Sequence, residues 1–242
     1  MSSHPLDHPD ITANLFYPRP DQPGRSGIPG AVDGTLPVEE GVALGYRFYM
    51  HGAGSPIILY FHGNGEIASD YDGIAPFFQE IGASLLVVDY RGYGWSTGFP
   101  LASKLLPDAE AVVAALPSMF ATAKVSESRL FVMGRSLGSA PAVHAACTFP
   151  DRFQGLILES GFADMPSVMR RLGIQPERFS LTEQELAPVG NARKVRSLHL
   201  PLLVIHGEPI TCCRSNRVRP STMPHPPSRS ASCASPAPAT MT

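Results

Sequence analysis

The chain has 242 residues, 43% hydrophobic and 17% charged, which excludes whole-chain disorder, a collagen-like repeat and a coiled coil. Its net charge of −2 offers no basic surface for nucleic acid. The longest apolar runs, residues 57–61 and 85–88, are far shorter than the roughly 20 residues that cross a bilayer, and the first ten residues, MSSHPLDHPD, lack the basic start and apolar stretch of a secretory signal.

Residues 1–37 are rich in Pro, Gly and Asp and read as an irregular arm. From Gly41 onwards apolar residues recur in short β-rich runs. Residues 42–49 form the first expected strand, followed by 56–61 (PIILYF), 83–89 (ASLLVVD), 129–133 (RLFVM), 154–159 (QGLILE) and 201–205 (PLLVI). The last five are continuous rather than alternating, as strands of a parallel sheet covered on both faces are. Helical patterns lie between them, at 67–81 with Ile74, Phe77, Phe78 and Ile81, at 102–116 with Leu105, Leu106, Ala109, Val112, Val113 and Leu116, and in the Ala-rich stretch 137–148. That alternation predicts an α/β architecture, a mostly parallel sheet with helices on both faces. Residues 161–199 are longer than a simple crossover and predict a small cap over the strand ends.

Composition breaks after Glu208. Residues 209–242 hold seven of the 25 prolines, three of the four cysteines and four arginines, with no acidic and no aromatic residue. The body, 1–208, carries 15 basic and 21 acidic residues, −6, and the tail +4. Such a tail has too little apolar surface to offset the entropy of ordering, so it is expected to be disordered. Cys212, Cys213 and Cys233 lack the C-x₂₋₄-C spacing of a metal site. Cys147, the one cysteine of the body, makes no disulfide framework and fits a reducing, cytoplasmic compartment.

The chemistry gathers at Gly134-Arg-Ser136-Leu-Gly138, a G-x-S-x-G sequence directly after RLFVM and directly before the Ala-rich helix. A sharp strand-to-helix turn there would hold Ser136 in a strained conformation at the sheet end, with glycines where side chains would collide. Pro141 falls in the first helical turn, where a missing N–H costs little. The helix N-terminus would face negative charge developing at the serine. His62-Gly63-Asn64-Gly65, after PIILYF, is a Gly-rich turn able to aim N–H groups at an oxyanion beside the N–H of Leu137. His62 reads as a packed turn histidine. Asp89 and Arg91, in DYRGYGWS, read as a pinned structural turn, and Glu159 and Asp164 as polar groups at a strand end.

HGNG, DYRGYGWS, GRSLGS and LESGF, in this order, resemble the α/β-hydrolase superfamily, in its branch of small esterase, lipase and serine-aminopeptidase-like enzymes. The resemblance covers residues 38–208. It implies Ser136 as nucleophile, Asn64 and Leu137 as oxyanion donors, a small acyl substrate, and no metal or cofactor. The serine would attack an acyl carbonyl, a histidine would take its proton, and water would release the acyl group.

The chain order in this fold is Ser, acid, His, and the branch places its acid after PLLVI in a pattern like H-G-E-x-D. This chain has His206-Gly207-Glu208-Pro209-Ile210, without the Asp. No further strand follows to carry the histidine, so the last strand and helix of the fold are expected to be missing. His144 lies about 12 Å along the helix from Ser136, at 1.5 Å per residue; His199 and His206 flank a strand, and His225 lies in the tail. The break suggests a frameshift near Glu208, one nucleotide lost or gained, with a real tail segment as the alternative. In the frame beginning at each codon's third base, Cys212 and Cys213 become Leu, Val or Met, and Ile210 and Thr240 each become Tyr, His, Asn or Asp. Permitted codons then read D-Y-L-L-P-F near residue 210 and G-A-G-H-N-D near the end, an acid and a histidine in family-like settings. Three expectations stand together: a serine hydrolase crippled by loss of its acid and histidine, a non-catalytic binding protein on the same fold, and a hydrolase body bearing a true Arg/Ser/Pro interaction tail.

Overall fold

The apolar runs assemble into one seven-stranded sheet in the order β1-β2-β4-β3-β5-β6-β7. The strands are β1 (Ala31–Glu39), β2 (Val42–Tyr49), β3 (Ile57–Phe61), β4 (Ser84–Val88), β5 (Leu130–Arg135), β6 (Leu156–Glu159) and β7 (Leu202–Ile205). β3 to β7 run parallel, and β1 and β2 add an antiparallel edge. The computed structural model describes residues 4–24 and 26–207. The expectations for the 209–242 tail, for Glu208 and His225, and for a missing strand and helix fall outside the described residues.

The two sheet faces divide by residue parity. Ile57, Leu59, Phe61, Leu86, Val88 and Val132 face one cluster, and Ile58, Tyr60, Leu85, Val87 and Met133 face the other. The first face is covered by α3 (Leu105–Thr122) and α4 (Ser139–Thr148). The second is covered by the 3₁₀ turn Ala68–Gly73 and α2 (Ala75–Glu80), through Ala68, Tyr71 and Ala75. With both faces covered, the central parallel strands β3 and β4 are buried at every position rather than at alternate ones.

α3 runs through Pro117 to Thr122, beyond the periodic pattern that ends at residue 116. Met119 and Phe120 continue its buried stripe, and burial of those side chains outweighs one missing N–H. The stretch Ala102–Thr122 is long and apolar enough to cross a membrane, yet half of it is buried inside the fold, as a core helix requires.

The reading of residues 1–37 as an irregular arm needs correction. Residues 31–37 belong to β1, paired with β2 over its whole length. Gly34 and Pro37 hide the strand pattern, but Gly34 is needed there: a Cβ would sit 2.2 Å from the Tyr46 ring. Upstream, α1 (Pro9–Leu15) is a true helix, and Leu6, Ile11, Leu15 and Phe16 are buried in the main core. Pro at its first position suits a helix start, and the turns around it supply the Pro and Asp that make the composition look irregular. The cap expected at 161–199 is a chain of short helices, α5 (Met165–Arg171), α6 (Glu183–Leu186) and α7 (Asn191–Arg196), joined by 3₁₀ turns.

After β3 the chain passes to β4 on one side and then to β5 on the other. Such a reversal opens a crevice beyond the carboxyl ends of the central strands, where ligands of α/β proteins bind. The Gly-rich turn 62–65 leaves β3 at that crevice, and Ser136 leaves β5 there.

Candidate active site

Ser136 is exposed and has φ +50°, a left-handed conformation that non-glycine residues seldom adopt. The reason is local. β5 ends at Arg135, the 3₁₀ turn Ser136–Gly138 begins at once, and α4 starts at Ser139. A Cβ on Gly134 would lie 2.2 Å from the Gly138 carbonyl oxygen, and one on Gly138 would lie 2.0 Å from the carbonyl oxygen of Phe61. Both glycines are therefore required for elbow and sheet to approach this closely. Ser139 Oγ donates to the Ser136 carbonyl (2.6 Å), and the buried Asn191 amide donates to Ser139 Oγ (2.9 Å) and to the Phe162 carbonyl (2.9 Å). Asn191 had no motif to single it out; it reaches the elbow only because α7 folds back onto α4.

The turn 62–65 is pinned from several sides. Gly63 N–H donates to Glu66 Oε2 (2.7 Å), Glu66 pairs with Arg135 (2.9 Å), and Tyr90 O–H donates to the His62 carbonyl (2.6 Å). The N–H groups of Asn64 and Leu137 donate to no backbone acceptor among the described residues. Asn64, Ser136 and Leu137 line one cavity of about 330 Å³, shared with Leu15, with cap residues including Phe162, Val168 and Arg171, and with His206. The three residues singled out in the sequence thus meet at one hollow.

The histidines separate clearly. His62 is fully buried, with Nδ1 2.8 Å from the Gly63 carbonyl and Nε2 3.2 Å from Asp89 Oδ1, so it packs the turn. His144 is engaged elsewhere, its Nε2 2.6 Å from Glu110 and its Nδ1 3.0 Å from Lys194 Nζ. Burial lowers the His144 pKa, with Glu110 opposing, and burial likewise lowers that of Lys194. His199 is exposed. His206, which the sequence suggests is a structural residue at a strand end, lines the cavity beside Ser136. None of the described histidines hydrogen-bonds Ser136.

The carboxylates of the motifs are structural. Asp89 accepts from Ala68 N–H (2.8 Å) and lies so close to Gly94 that a Cβ there would sit 2.0 Å from its Oδ2. Arg91 binds Asp108 with two 2.7 Å bonds and Glu39 at 2.8 Å. Glu159 faces Tyr60 Oη (3.4 Å) and Arg135 (3.6 Å). Asp164 lines the cavity but is occupied as the N-cap of α5, accepting from Ser167 N–H (2.8 Å) and Oγ (2.9 Å).

Known proteins agree with this architecture. The family described as serine aminopeptidase, S33, matches residues 54–179. An uncharacterized Mycobacterium tuberculosis protein, MT2364, is 29% identical over 197 residues, covering 80% of this chain and 67% of the relative. The Arabidopsis thaliana α/β-hydrolase domain-containing protein WAV2 is 35% identical over 118 residues, covering 47% of this chain. Human ABHD12B is 29% identical over 170 residues, covering 64% of this chain. The chain spans 37% of the plant relative's length and 46% of the human one's. Among solved structures, the Pyrococcus furiosus esterase Pf2001 aligns with a TM-score of 0.54 at 20% identity over 72% of this chain and 69% of its own. The Pyrococcus horikoshii acylaminoacyl peptidase aligns with a TM-score of 0.57 at 14% identity over 73% of this chain and 31% of its own. Sheet order, elbow and family match lead to one conclusion: the chain belongs to the serine aminopeptidase S33 family of hydrolases and has the α/β-hydrolase fold.

Proposed function

We propose that this hydrolase acts on small acyl esters or thioesters through Ser136. The observation that carries the reading is Ser136 at φ +50° on a strand-to-helix turn, opening into the cavity shared with Asn64 and Leu137. The Ser136 Oγ attacks the acyl carbonyl carbon as its proton passes to a base. The oxygen of the tetrahedral intermediate takes the N–H groups of Asn64 and Leu137. Collapse expels the alcohol or thiol, and water releases the acid from the acyl-enzyme. The fold likeness to an esterase supports acyl transfer as the reaction type.

His206 is the described histidine in the cavity, and it pairs with no carboxylate among the described residues. We therefore expect slow turnover by the chain as written. Removing triad members in other serine hydrolases leaves only about 10³–10⁴ of rate enhancement over water. With permitted codons, the shifted frame after Glu208 returns an acid and a histidine, and a gene repaired in that frame should encode an active hydrolase. Short-chain aryl esters are the first substrates to try, because a good leaving group asks little of the pocket. Ser136→Ala should abolish turnover in the repaired protein and leave its melting temperature unchanged. Activity should rise with pH as the restored histidine loses its proton near pH 6–7. A second frame that does not encode this peptide would remove the frameshift. A folded, repaired protein that neither hydrolyses esters nor reacts at Ser136 with a serine-directed phosphonate would leave the non-catalytic binding protein as the reading.

A further inference from the structure

The segment upstream of β1 does more than fill core. Residues 15–21 run along the two turns that border the crevice. Asn64 Nδ2 donates to the Leu15 carbonyl (2.8 Å), and Tyr17 N–H donates to Asn64 Oδ1 (3.0 Å) and to Tyr93 Oη (2.8 Å). Tyr93 is fully buried, and its hydroxyl donates to the same Asn64 Oδ1 (2.7 Å). Arg19 bonds the Gly65 carbonyl (3.0 Å) and Asp70 (2.6 Å), while its own carbonyl accepts from Gly94 N–H (2.8 Å). The Asn64 side chain thus holds this segment through both its oxygen and its amide nitrogen, and its backbone N–H donates to no backbone acceptor among the described residues.

We propose that this N-terminal segment is a fixed wall of the acyl site, latched to the oxyanion turn through Asn64, and that Leu15 sets the length of acyl chain the cavity accepts. The proposal rests on the reading of Ser136 and Asn64 above and adds to it a specificity-determining residue. Leu15 is buried and lines the cavity next to the Asn64 turn, so an acyl group whose carbonyl oxygen sits on the N–H groups of Asn64 and Leu137 runs directly onto it. Val168 and Leu172 continue the apolar lining. Asp164, Ser167 and Arg171 give the cavity a polar side that suits the leaving group. Leu15 cannot swing aside. Ile11 and Phe16 anchor α1 in the main core on either side of it, and Asp7 accepts from Ser103 N–H (3.0 Å) further upstream.

The test uses the full chain with saturated fatty acids from butanoate to dodecanoate, read by the shift in melting temperature each produces, alongside turnover of the matching aryl esters. Each methylene newly accommodated is worth a few-fold in affinity. Leu15→Ala should therefore raise the preference for decanoate over hexanoate roughly tenfold, about two methylenes' worth. Leu15→Phe should move the preference the other way, and Leu15→Met serves if the alanine variant does not fold. Tyr93→Phe removes two bonds of the latch, those from Tyr17 N–H and to Asn64 Oδ1, and should speed hydrogen exchange at the Tyr17 amide about tenfold or more, without speeding exchange in α3. Folded Leu15 variants with the wild-type length preference, a wild type that binds no fatty acid of any length, or unchanged Tyr17 exchange in Tyr93→Phe would each overturn the proposal. If the fatty-acid preference shifts as expected while no ester is turned over, the wall stands and the serine-hydrolase reading falls.

Discussion

β3 and β7 are written in nearly the same alphabet, IILYF and LLVI, and meet opposite fates. Every residue of β3 is buried, between β4 and β5 and under helices on both faces. Every residue of β7 is exposed, with relative exposures of 39–58%. The strand ends differ in the same way. A Cβ on Gly138 would strike the carbonyl at the end of β3 at 2.0 Å, whereas one on Gly207, just past β7, would meet nothing within 4 Å among the described residues. The contrast teaches that a run of apolar residues states what a strand can tolerate, and that its neighbours decide what it receives. β7 has β6 on one side and, among the described residues, no strand on the other.

The largest effect should come from the two glycines. Gly138→Ala should yield no soluble, cooperatively folding protein, because backbone cannot yield to a Cβ at 2.0 Å. Gly207→Ala should melt like the wild type. Circular dichroism melts of the pair make the comparison, and a stable Gly138→Ala protein would break it.

Next come the leucines. Leu59→Ala, in the middle of β3 and fully buried, should cost about 2–5 kcal/mol in denaturant unfolding. Leu203→Ala, 54% exposed, should stay within about 1 kcal/mol. Equal costs would mean that β7 is covered in solution by something beyond the described residues. Val204→Lys sharpens the same point. An exposed apolar edge strand templates association, and lysine is a usual guard against it. The substitution should reduce self-association in sedimentation or light scattering while leaving the melting temperature within a few degrees.

The smallest effect lies at the opposite edge. Arg47 is fully buried and bound by Asp33 (2.6 and 2.8 Å) and Asp72 (3.0 Å). Burial alone would raise the Asp33 carboxyl, but the hydrogen bonds from Arg47 and Gly24 outweigh it and hold the carboxyl below its usual range. A lowered folded value means that this stabilisation is complete above the unfolded carboxylate range and is lost as pH falls through the folded value. The loss therefore falls below about pH 4. Asp33→Asn should flatten part of the acid limb of stability measured against pH, and a limb unchanged in that variant would remove Asp33 from it.

The strand-to-helix elbow, the Gly-rich turn 62–65 and the strands β2 to β7 were legible because each is written in a few adjacent residues. Gly134, Ser136 and Gly138 stand around one turn, and each parallel strand is one unbroken apolar run. The N-terminal segment was not legible. Leu6, Ile11, Leu15 and Phe16 are spread through Pro- and Asp-rich chain, and only contact with the main core shows that they are anchors. The same holds for the Asn191 amide on Ser139, 52 residues away, for Tyr93 on Asn64, 29 residues away, and for His206 beside Ser136.

By itself the sequence determined the α/β class, the parallel run from β3 to β7, and the turn that strains Ser136, since φ/ψ preference and apolar periodicity are properties of a few neighbours along the chain. Only the tertiary structure decided that β3 is core and β7, among the described residues, an edge, that Asn64 spends its side chain on the N-terminal segment, and that Leu15 and Asn64 line one cavity. Burial and hydrogen-bond satisfaction are set by whatever packs alongside, and here those partners come from segments tens of residues apart, a spacing that no local pattern records.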